Sequence, residues 1–498
     1  APLVTGAISL LHDRWPWLQD HADVTTQIIL ETAQELGDPG VDEVYGHGLL
    51  DVQASQSPLD WGSLEVWLNV GGGSTNLTTT QLAAAAVDQG TLNLWEAQGA
   101  NIYAFESIGN THRDFYVPLS SLLDGQSMTV NSNTERFQRH TEQRLLDWAS
   151  SQPAPVPTTT TSSIAGDDKF SLVSGGKGWT LSFSPGDNVN SWGAMHFEAT
   201  NGSLSVVSGQ GGGAQYFSAL GGFDQLKDYD PNFGGANPML GLATGGSFNR
   251  VSLAMPRAMR LSFGATNTSN DQRVQDVFTG EYLVEDSVLG SRDASAVFAE
   301  LAFYNTDKLN LGFGYTHLHE DDGVLGAQGA GLLTMDGGSR TDSLTLRANY
   351  RLTSRLSLSA SMTGATTRGT GLENSPLTVA EEGLRATAFQ LNATYRTLFK
   401  DTDRLTLSLA QPLHIEDGSL AFTSIQVIDR ETGEIGEVTE NWDLATGGRH
   451  FAYEAEYAMS FNEGMMSIGA FTRYDQDDVD VQGTYDAFSV GTRFSMTY

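Results

Sequence analysis

The side chains best spaced for chemistry are His317-Leu318-His319, which put two imidazoles on one face of an extended segment beside Glu320, Asp321 and Asp322. Such a set could hold a divalent ion, because imidazole and carboxylate both ligate zinc and its neighbours. A solvated acidic loop explains the same residues more plainly, so no metal site is expected, and no cofactor. Asp475-Gln476-Asp477-Asp478 and Asp228-Tyr229-Asp230 lack the positions and the glycine of a calcium hand and are expected in surface loops. Gly71-Gly72-Gly73 and Gly211-Gly212-Gly213 do not follow the phosphate-loop template and are expected as linkers or tight turns. His12 and His47 are expected to pack or to face solvent.

The balance of charge narrows the partners. With 27 basic and 60 acidic side chains, the formal charge is 27 − 60 = −33. No Lys/Arg cluster offers the basic stripe that phosphate backbones require, so nucleic acid is excluded as a partner. The absence of cysteine removes disulfides, thiolate metal sites and a cysteine nucleophile. No apolar run reaches the length of a spanning helix, a test that says nothing of barrels, whose strands alternate.

The elements that position these residues fall into two halves. Ala1 to Leu11 form an apolar helix with Pro2 in its first turn, where a missing N–H costs nothing. A second helix is expected from Asp23 to Leu36, with Asp23 as N-cap, Val24, Ile28 and Ile29 on one face, and Gly37 as its stop. Asp38-Pro39-Gly40-Val41-Asp42 is a turn, and Tyr45 to Val52 a glycine-bearing loop that leads into a helix.

Residues 1–54 resemble the last segment of a subtilisin-family protease domain. In that family the motif Gly-Thr-Ser-x-Ala-Ala-Pro opens a buried helix reading Pro-x-Val-x-Gly-Ala-x-x-Leu-Leu. Pro2-Leu3-Val4-Thr5-Gly6-Ala7-Ile8-Ser9-Leu10-Leu11 follows it, as do Thr32 to Gly37, Asp38-Pro39-Gly40 and the closing loop Tyr45-Gly46-His47-Gly48-Leu49-Leu50-Asp51. The resemblance implies that the nucleophilic serine lies about three residues before Ala1, with the family's Asp, His and oxyanion Asn further upstream. It leaves no catalytic residue within this chain and assigns neither His12 nor His47 to a triad. A serine needs a positioned base and an oxyanion donor to attack an amide, so the chain alone is expected to be inactive. The intact precursor is expected to be a subtilisin-like serine endopeptidase acting on proteins or peptides.

Downstream, Leu64 to Val70 and Ile102 to Phe105 alternate as short strands. Arg113-Asp114-Phe115-Tyr116-Val117-Pro118-Leu119 is similar to the module that follows the protease domain in surface-exported subtilases. A helix is expected from about Thr134 to Ser150, followed by the Pro/Thr/Ser linker 152–166.

From Asp167 onward a period of two holds to the last residue. Leu309-Leu311-Phe313-Tyr315, Leu344-Leu346-Ala348-Tyr350, Leu356-Leu358-Ala360-Met362, Phe389-Leu391-Ala393-Tyr395, Leu405-Leu407-Leu409, Tyr453-Ala455-Tyr457-Met459 and Phe488-Val490-Thr492-Phe494-Met496-Tyr498 each form one apolar series. A soluble sandwich and a membrane barrel both want such strands. Charges on the opposite series (Arg347, Arg404, Glu454, Glu456, Arg493) suit a water-filled lumen or a solvated face equally. Strands of about ten residues, and aromatics near strand ends (Tyr315, Tyr350, Tyr395, Tyr457, Tyr474), favour the barrel.

The terminal strand ending in Tyr498 resembles the C-terminal signal that the barrel-assembly machinery reads in bacterial outer-membrane proteins. Residues 235–498 have the size of an autotransporter translocator, and Val324 to Gly331 with Glu320-Asp321-Asp322 look like its protease-linked branch. The expected class is mainly β: a transmembrane antiparallel barrel of about 12 strands, preceded by a small β module and a helical remnant of an α/β subtilisin-like domain.

The expected divisions are 1–54 (protease end), 55–151 (β-rich passenger module with a terminal helix), 152–166 (linker), 167–234 (connector and possible lumen plug, the plug drawn from 208–236) and 235–498 (barrel). The family implies a bacterial outer-membrane location among its lipids, with the passenger at the cell surface or released. Two alternatives stay open: a porin-like barrel and a soluble β-rich adhesin.

Overall fold

In the computed structural model the described residues are 2–68, 73–76, 81–83, 99–118, 170–173, 179–184, 193–199, 203–210, 234–271, 291–304, 308–370, 375–445, 448–461, 466–480 and 483–496. The helix expected at Thr134 to Ser150, the linker 152–166, Asp228 to Asp230 and Gly211 to Gly213 lie outside them.

The N-terminal part is helical, then β. Helix α1 spans Pro2–Arg14, a 3-10 turn Pro16–Asp20, α2 Ala22–Glu31 and α3 Val52–Ser55. Helix α2 stops short of Leu36. Gln34 leaves to exchange main-chain hydrogen bonds with Leu49, and Thr32 Oγ1 turns back onto the Ile28 carbonyl at 2.6 Å. Its N-cap is His21, without a side-chain cap, so Asp23 sits in the first turn instead, favourable to the helix dipole. Helix α3 is capped by Asp51, whose carboxylate accepts from the Ala54 N–H at 2.8 Å.

Strands β1 (Glu65–Trp67), β2 (Ser74–Asn76), β3 (Gln81–Ala83), β4 (Asn101–Ile108) and β5 (Thr111–Pro118) follow. Four of them form an antiparallel sheet in the order β2-β1-β4-β5. Its inner face, Val66, Ile102, Ala104, Phe115 and Val117, packs with Leu11, Trp15, Leu18, Val24 and Ile28 of the helices, while on the opposite face Trp67 stacks on Phe105 with ring centroids 4.1 Å apart.

The second half is one antiparallel meander. Its first strands are β6 (Phe170–Val173), β7 (Trp179–Ser184), β8 (Gly193–Ala199) and β9 (Leu204–Gln210). After a short helix, α4 (Pro238–Leu242), come β10 (Ser247–Met255), β11 (Met259–Asp271), β12 (Ser291–Tyr304) and β13 (Leu309–Glu320). The small hairpin β14 (Gly323–Val324) and β15 (Ala327–Ala330) precedes β16 (Ser339–Arg351), β17 (Leu356–Gly369), β18 (Leu377–Val379), β19 (Leu384–Arg396) and β20 (Asp403–Asp417). The last are β21 (Ser419–Asp429), β22 (Glu434–Asp443), β23 (Phe451–Phe461), β24 (Met466–Asp480) and β25 (Gly483–Met496).

The hydrogen-bonded order is β25-β24-β23-β20-β19-β17-β16-β13-β12-β11-β10-β9-β8-β7-β6. Counted from the C-terminal strand, the twelfth is β9, so the sheet reaches back across residue 235. In this order β25 pairs with β24, and β9 with β10.

The connections are unequal. Residues 256–258, 352–355 and 397–402 make short turns at one rim. At the other rim the connection 321–338 carries the hairpin β14-β15, and β18, β21 and β22 form a separate sheet between wall strands. Short turns at one end and long loops at the other are the habit of membrane barrels.

The distribution of side chains separates barrel from sandwich. Val251, Leu253, Phe263, Val297, Phe313, Leu344, Leu346, Leu358, Met362, Leu391, Leu407, Ile468 and Val490 are exposed, whereas Ser252, Ser262, Thr316, Thr341, Ser343, Thr345, Ser361, Thr363 and Gln390 are buried. The sheet is inside out relative to a soluble core. Its buried face satisfies itself through cross-strand hydroxyl pairs: Ser252–Ser262 at 2.7 Å, Thr341–Thr367 at 2.8 Å and Thr345–Thr363 at 2.9 Å. Among the described residues the apolar face meets no other part of the protein and suits lipid, which makes this the wall of a transmembrane β-barrel.

Leu346 lies mid-strand, paired with Phe313 and Met362, and is 51% exposed. Leu346→Arg is expected to cost about 2–4 kcal/mol of barrel stability. Urea unfolding in phospholipid vesicles measures it, and a change within experimental error would contradict a lipid-facing series.

Candidate functional site: a filled lumen beneath a capped rim

The chain from Gly234 to Thr244 lies against the polar side of the sheet and is buried along most of its length. Pro238 opens α4 at its first positions, and Asn237 caps it by accepting from the Leu240 N–H at 3.4 Å. The same Asn237 donates through Nδ2 to Thr316 Oγ1 of β13 at 3.3 Å. Ser361 of β17 donates to the Ala236 carbonyl at 2.6 Å, and Thr266 of β11 to the Ala243 carbonyl at 3.0 Å. A side chain at Gly235 would run into the main-chain carbonyls of Phe389 in β19 and Gln411 in β20. Only glycine lets the backbones approach so closely.

These contacts fix the curvature of the sheet. In a flat sheet β11 and β20, six strand spacings apart, would be separated by roughly 29 Å. The stretch from Gly235 to Ala243 can reach about 18 Å, given a short helix and a few extended residues. It touches both strands, so the sheet wraps around it.

The interior is not uniformly wet. Around α4, Met239, Leu240 and Leu242 pack with Phe248, Phe298 and Leu318 and with Leu325, Leu332 and Leu333 from the long loop after β13. That loop folds inward because Glu320, fully buried, accepts from the Gly326 N–H at 2.8 Å. Nearer the short-turn rim the interior is charged and paired. Arg347 lies 3.9 Å from Glu300 and Arg404 donates to Glu456 at 3.1 Å, and toward the long-loop rim Arg473 forks onto Asp475, which also meets His450 Nε2 at 2.9 Å.

The sequence candidates are thereby placed. Asp475 is not in a surface loop: it lies in β24, buried, because Arg473 and His450 compensate it. His317 and His319 do share a face, but each is engaged separately, His317 Nδ1 with Asp342 at 2.9 Å and His319 Nε2 with Asp321 at 3.0 Å. Among the described residues no group of three or more His, Asp or Glu is arranged to hold a metal. Tyr350 and Tyr395 stand one residue from their strand ends. Tyr315 lies further in and donates to Asp342, so the exposed apolar band gives way there to polar side chains. Residues the sequence reading missed are Asn237 and Gly235. The signal was an Asn-Pro helix start within a glycine-rich run.

The N-terminal module sits on the long-loop rim. Backbone pairing joins β3 to β15, with Leu82 opposite Gly329. The turn between β21 and β22 reaches the helices: Arg430 donates to Asp114 Oδ2 at 2.5 Å and to the Arg14 carbonyl at 2.7 Å. Beside it, His112 is ringed by Trp17, Trp67 and Phe105 at 5.4–5.6 Å between centroids. Burial pushes its imidazole below the ordinary value of 6.5, while Asp114 and the main chain of Gly433 act the other way and His21 adds to the lowering. Burial also pulls the Arg113 guanidinium down, opposed by Glu106, to which its Nε donates at 2.9 Å.

No protein-family model matches the chain. Over 51 residues it is 47% identical to the autotransporter lipoprotein NalP of Neisseria meningitidis serogroup B, a match covering 10% of this chain and 4% of that protein. The chain therefore has homology to an autotransporter over a small part of that relative's length. Among solved structures it is similar to OmpT, an outer membrane protein of Vibrio cholerae, at 12% identity and a TM-score of 0.35 over 66% of this chain and 87% of that one. It is also similar to the transport unit of the Escherichia coli autotransporter AIDA-I, at 10% identity and a TM-score of 0.21 over 65% and 86%. An anion-selective porin from Comamonas acidovorans matches at 11% identity and a TM-score of 0.31 over 64% and 83%.

Two outcomes test this geometry. Replacing residues 234–243 by a Gly-Ser stretch is expected to raise single-channel conductance in planar bilayers several-fold, and an unchanged conductance would place the block elsewhere. For His112, the unfolded chain takes up a proton near pH 6.5 that the packed imidazole resists, so module stability should be flat above that pH and fall below it. Thermal unfolding followed by tryptophan fluorescence checks the sign. His112→Gln should flatten the profile.

Proposed function

We propose that this chain is the C-terminal part of a subtilisin-like serine protease autotransporter, in which the barrel anchors and exports a passenger across the bacterial outer membrane. The observation that carries the reading is a chain held inside its own barrel: segment 234–244 occupies the lumen, and the module that precedes it in sequence lies at the long-loop rim. A porin has no need to retain such a segment. Homology to an autotransporter lipoprotein over 51 residues supports the same assignment.

In this reading residues 1–54 are the end of the protease domain, 55–151 a passenger module, 152–166 the linker, 167–234 a connector and 235–498 the translocator. Barrel closure requires the outermost strands of the sheet to pair, because an open edge in hydrocarbon leaves main-chain N–H and C=O groups unpaired at several kcal/mol each. Partners are outer-membrane lipid and the barrel-assembly machinery. Protein or peptide substrates belong to the intact protease, whose nucleophilic serine the resemblance puts before Ala1.

A porin-like role is the second reading. It is favoured by the polar charged interior around Arg347, Glu300, Arg473 and Asp475.

Orientation provides the test. An epitope inserted after Pro39, in an exposed turn of the module, should be labelled by antibody on intact cells and shaved by added protease, with the barrel still heat-modifiable. Labelling only after the outer membrane is permeabilised would place the module in the periplasm and end the export reading.

A further inference from the structure

The contact between the N-terminal module and the β21-β22 hairpin is built like a latch. We propose that it holds the module on the barrel non-covalently, so that cutting the chain between them does not release the passenger end. The inference goes beyond export and stands whether or not the module is the tail of a protease.

Three features carry it. First, Asp114 is almost wholly buried in the module, and its charge is met from both sides: Trp15 Nε1 donates to Oδ1 at 3.0 Å from within, and Arg430 Nη1 donates to Oδ2 at 2.5 Å from the hairpin. A buried carboxylate stripped of its cation carries an uncompensated charge, so separation is opposed beyond the loss of one contact. Second, the guanidinium is used at three points. Its other terminal nitrogen donates to the Arg14 carbonyl at the end of α1, at 2.7 Å, and its plane lies 5.1 Å from the centroid of Trp17.

Third, the hairpin turn is shaped to admit the indole. Gly433 has φ +73°, and a Cβ there would lie 2.7 Å from Trp17 Cγ. The Trp17 Nε1 is itself spent on the His112 carbonyl at 2.8 Å, which fixes the ring against the turn. Asp429 shapes that turn by accepting from the Glu431 N–H at 2.8 Å, and its main-chain carbonyl accepts from the Gly433 N–H at 3.0 Å. A second strap is the pairing of β3 with β15.

The hairpin belongs to the sheet β18-β21-β22, apart from the wall strands, and is stiffened by Phe422 stacked on Trp442 at 4.7 Å. It is a firm platform rather than a trailing loop. The residues of the latch lie hundreds of positions apart in sequence and meet only when both parts are folded.

The experiment uses the full chain with a site-specific protease sequence inserted at 152–166 and an affinity tag at the C-terminus, purified in detergent. After complete cutting, the N-terminal piece is expected to stay with the tagged barrel through size exclusion. Arg430→Ala should raise the released fraction at least ten-fold, with Arg430→Lys intermediate because it keeps the charge and loses the fork. Gly433→Val, which pushes on Trp17 without removing a charge, should release it as well. Heat-modifiable mobility reports that each barrel is folded. Release of the wild-type piece upon cutting would overturn the proposal, as would retention of the Arg430→Ala and Gly433→Val pieces at the wild-type level.

Discussion

Hydrocarbon offers no hydrogen bonds, and that single constraint organises the larger half of the molecule. Every main-chain N–H and C=O in the wall must find its partner in a neighbouring strand, which antiparallel pairing supplies from Leu309 to Met496. The side chains then sort by solvent. Leu344, Leu346 and Phe313 point where lipid would be, while Thr345, Ser343 and Thr316 turn inward and bond to one another or to the chain they enclose. Reversing the faces would place hydroxyls in lipid, and the sheet has no second layer to offer them.

An enclosed polar face creates its own difficulty, because a bare polar tube would conduct. The molecule fills part of it with its own chain. Asn237 illustrates the economy: one side chain caps α4 and ties the helix to β13. Elsewhere in the interior charges take over, and burial is tolerable because Arg473, Asp475 and His450 form one compensated cluster. The long-loop rim is sealed differently, by Glu320 drawing its loop inward and by a folded module set on the hairpin above.

Much of the wall was legible because the period of a strand is two and its faces meet different solvents. The apolar series through Leu309, Leu344, Leu356 and Leu405 all fall in strands. Face chemistry was ambiguous until burial was known: Arg347 and Glu456 suit a lumen or open water equally well. Asp475 was misjudged as a loop residue since an acidic run ordinarily seeks water, and nothing local reveals Arg473 and His450 closing over it. Helix α2 ended early for a similar reason, drawn off by the pairing of Gln34 with Leu49.

The order of apolar and polar residues by itself determined that this chain makes long alternating strands, that it carries a large negative charge, and that its first residues are helical. Those properties are local, set by neighbours a few positions away and by net charge. Which face turns inward, which residues fill the interior and where the N-terminal module rests were decided only by tertiary structure. Ala236 meets Ser361, and Asp114 meets Arg430, across separations at which chain order carries no information about distance. Their encounter depends on a sheet that must curve to hide its polar side, and curvature is a property of the assembled wall rather than of any strand in it.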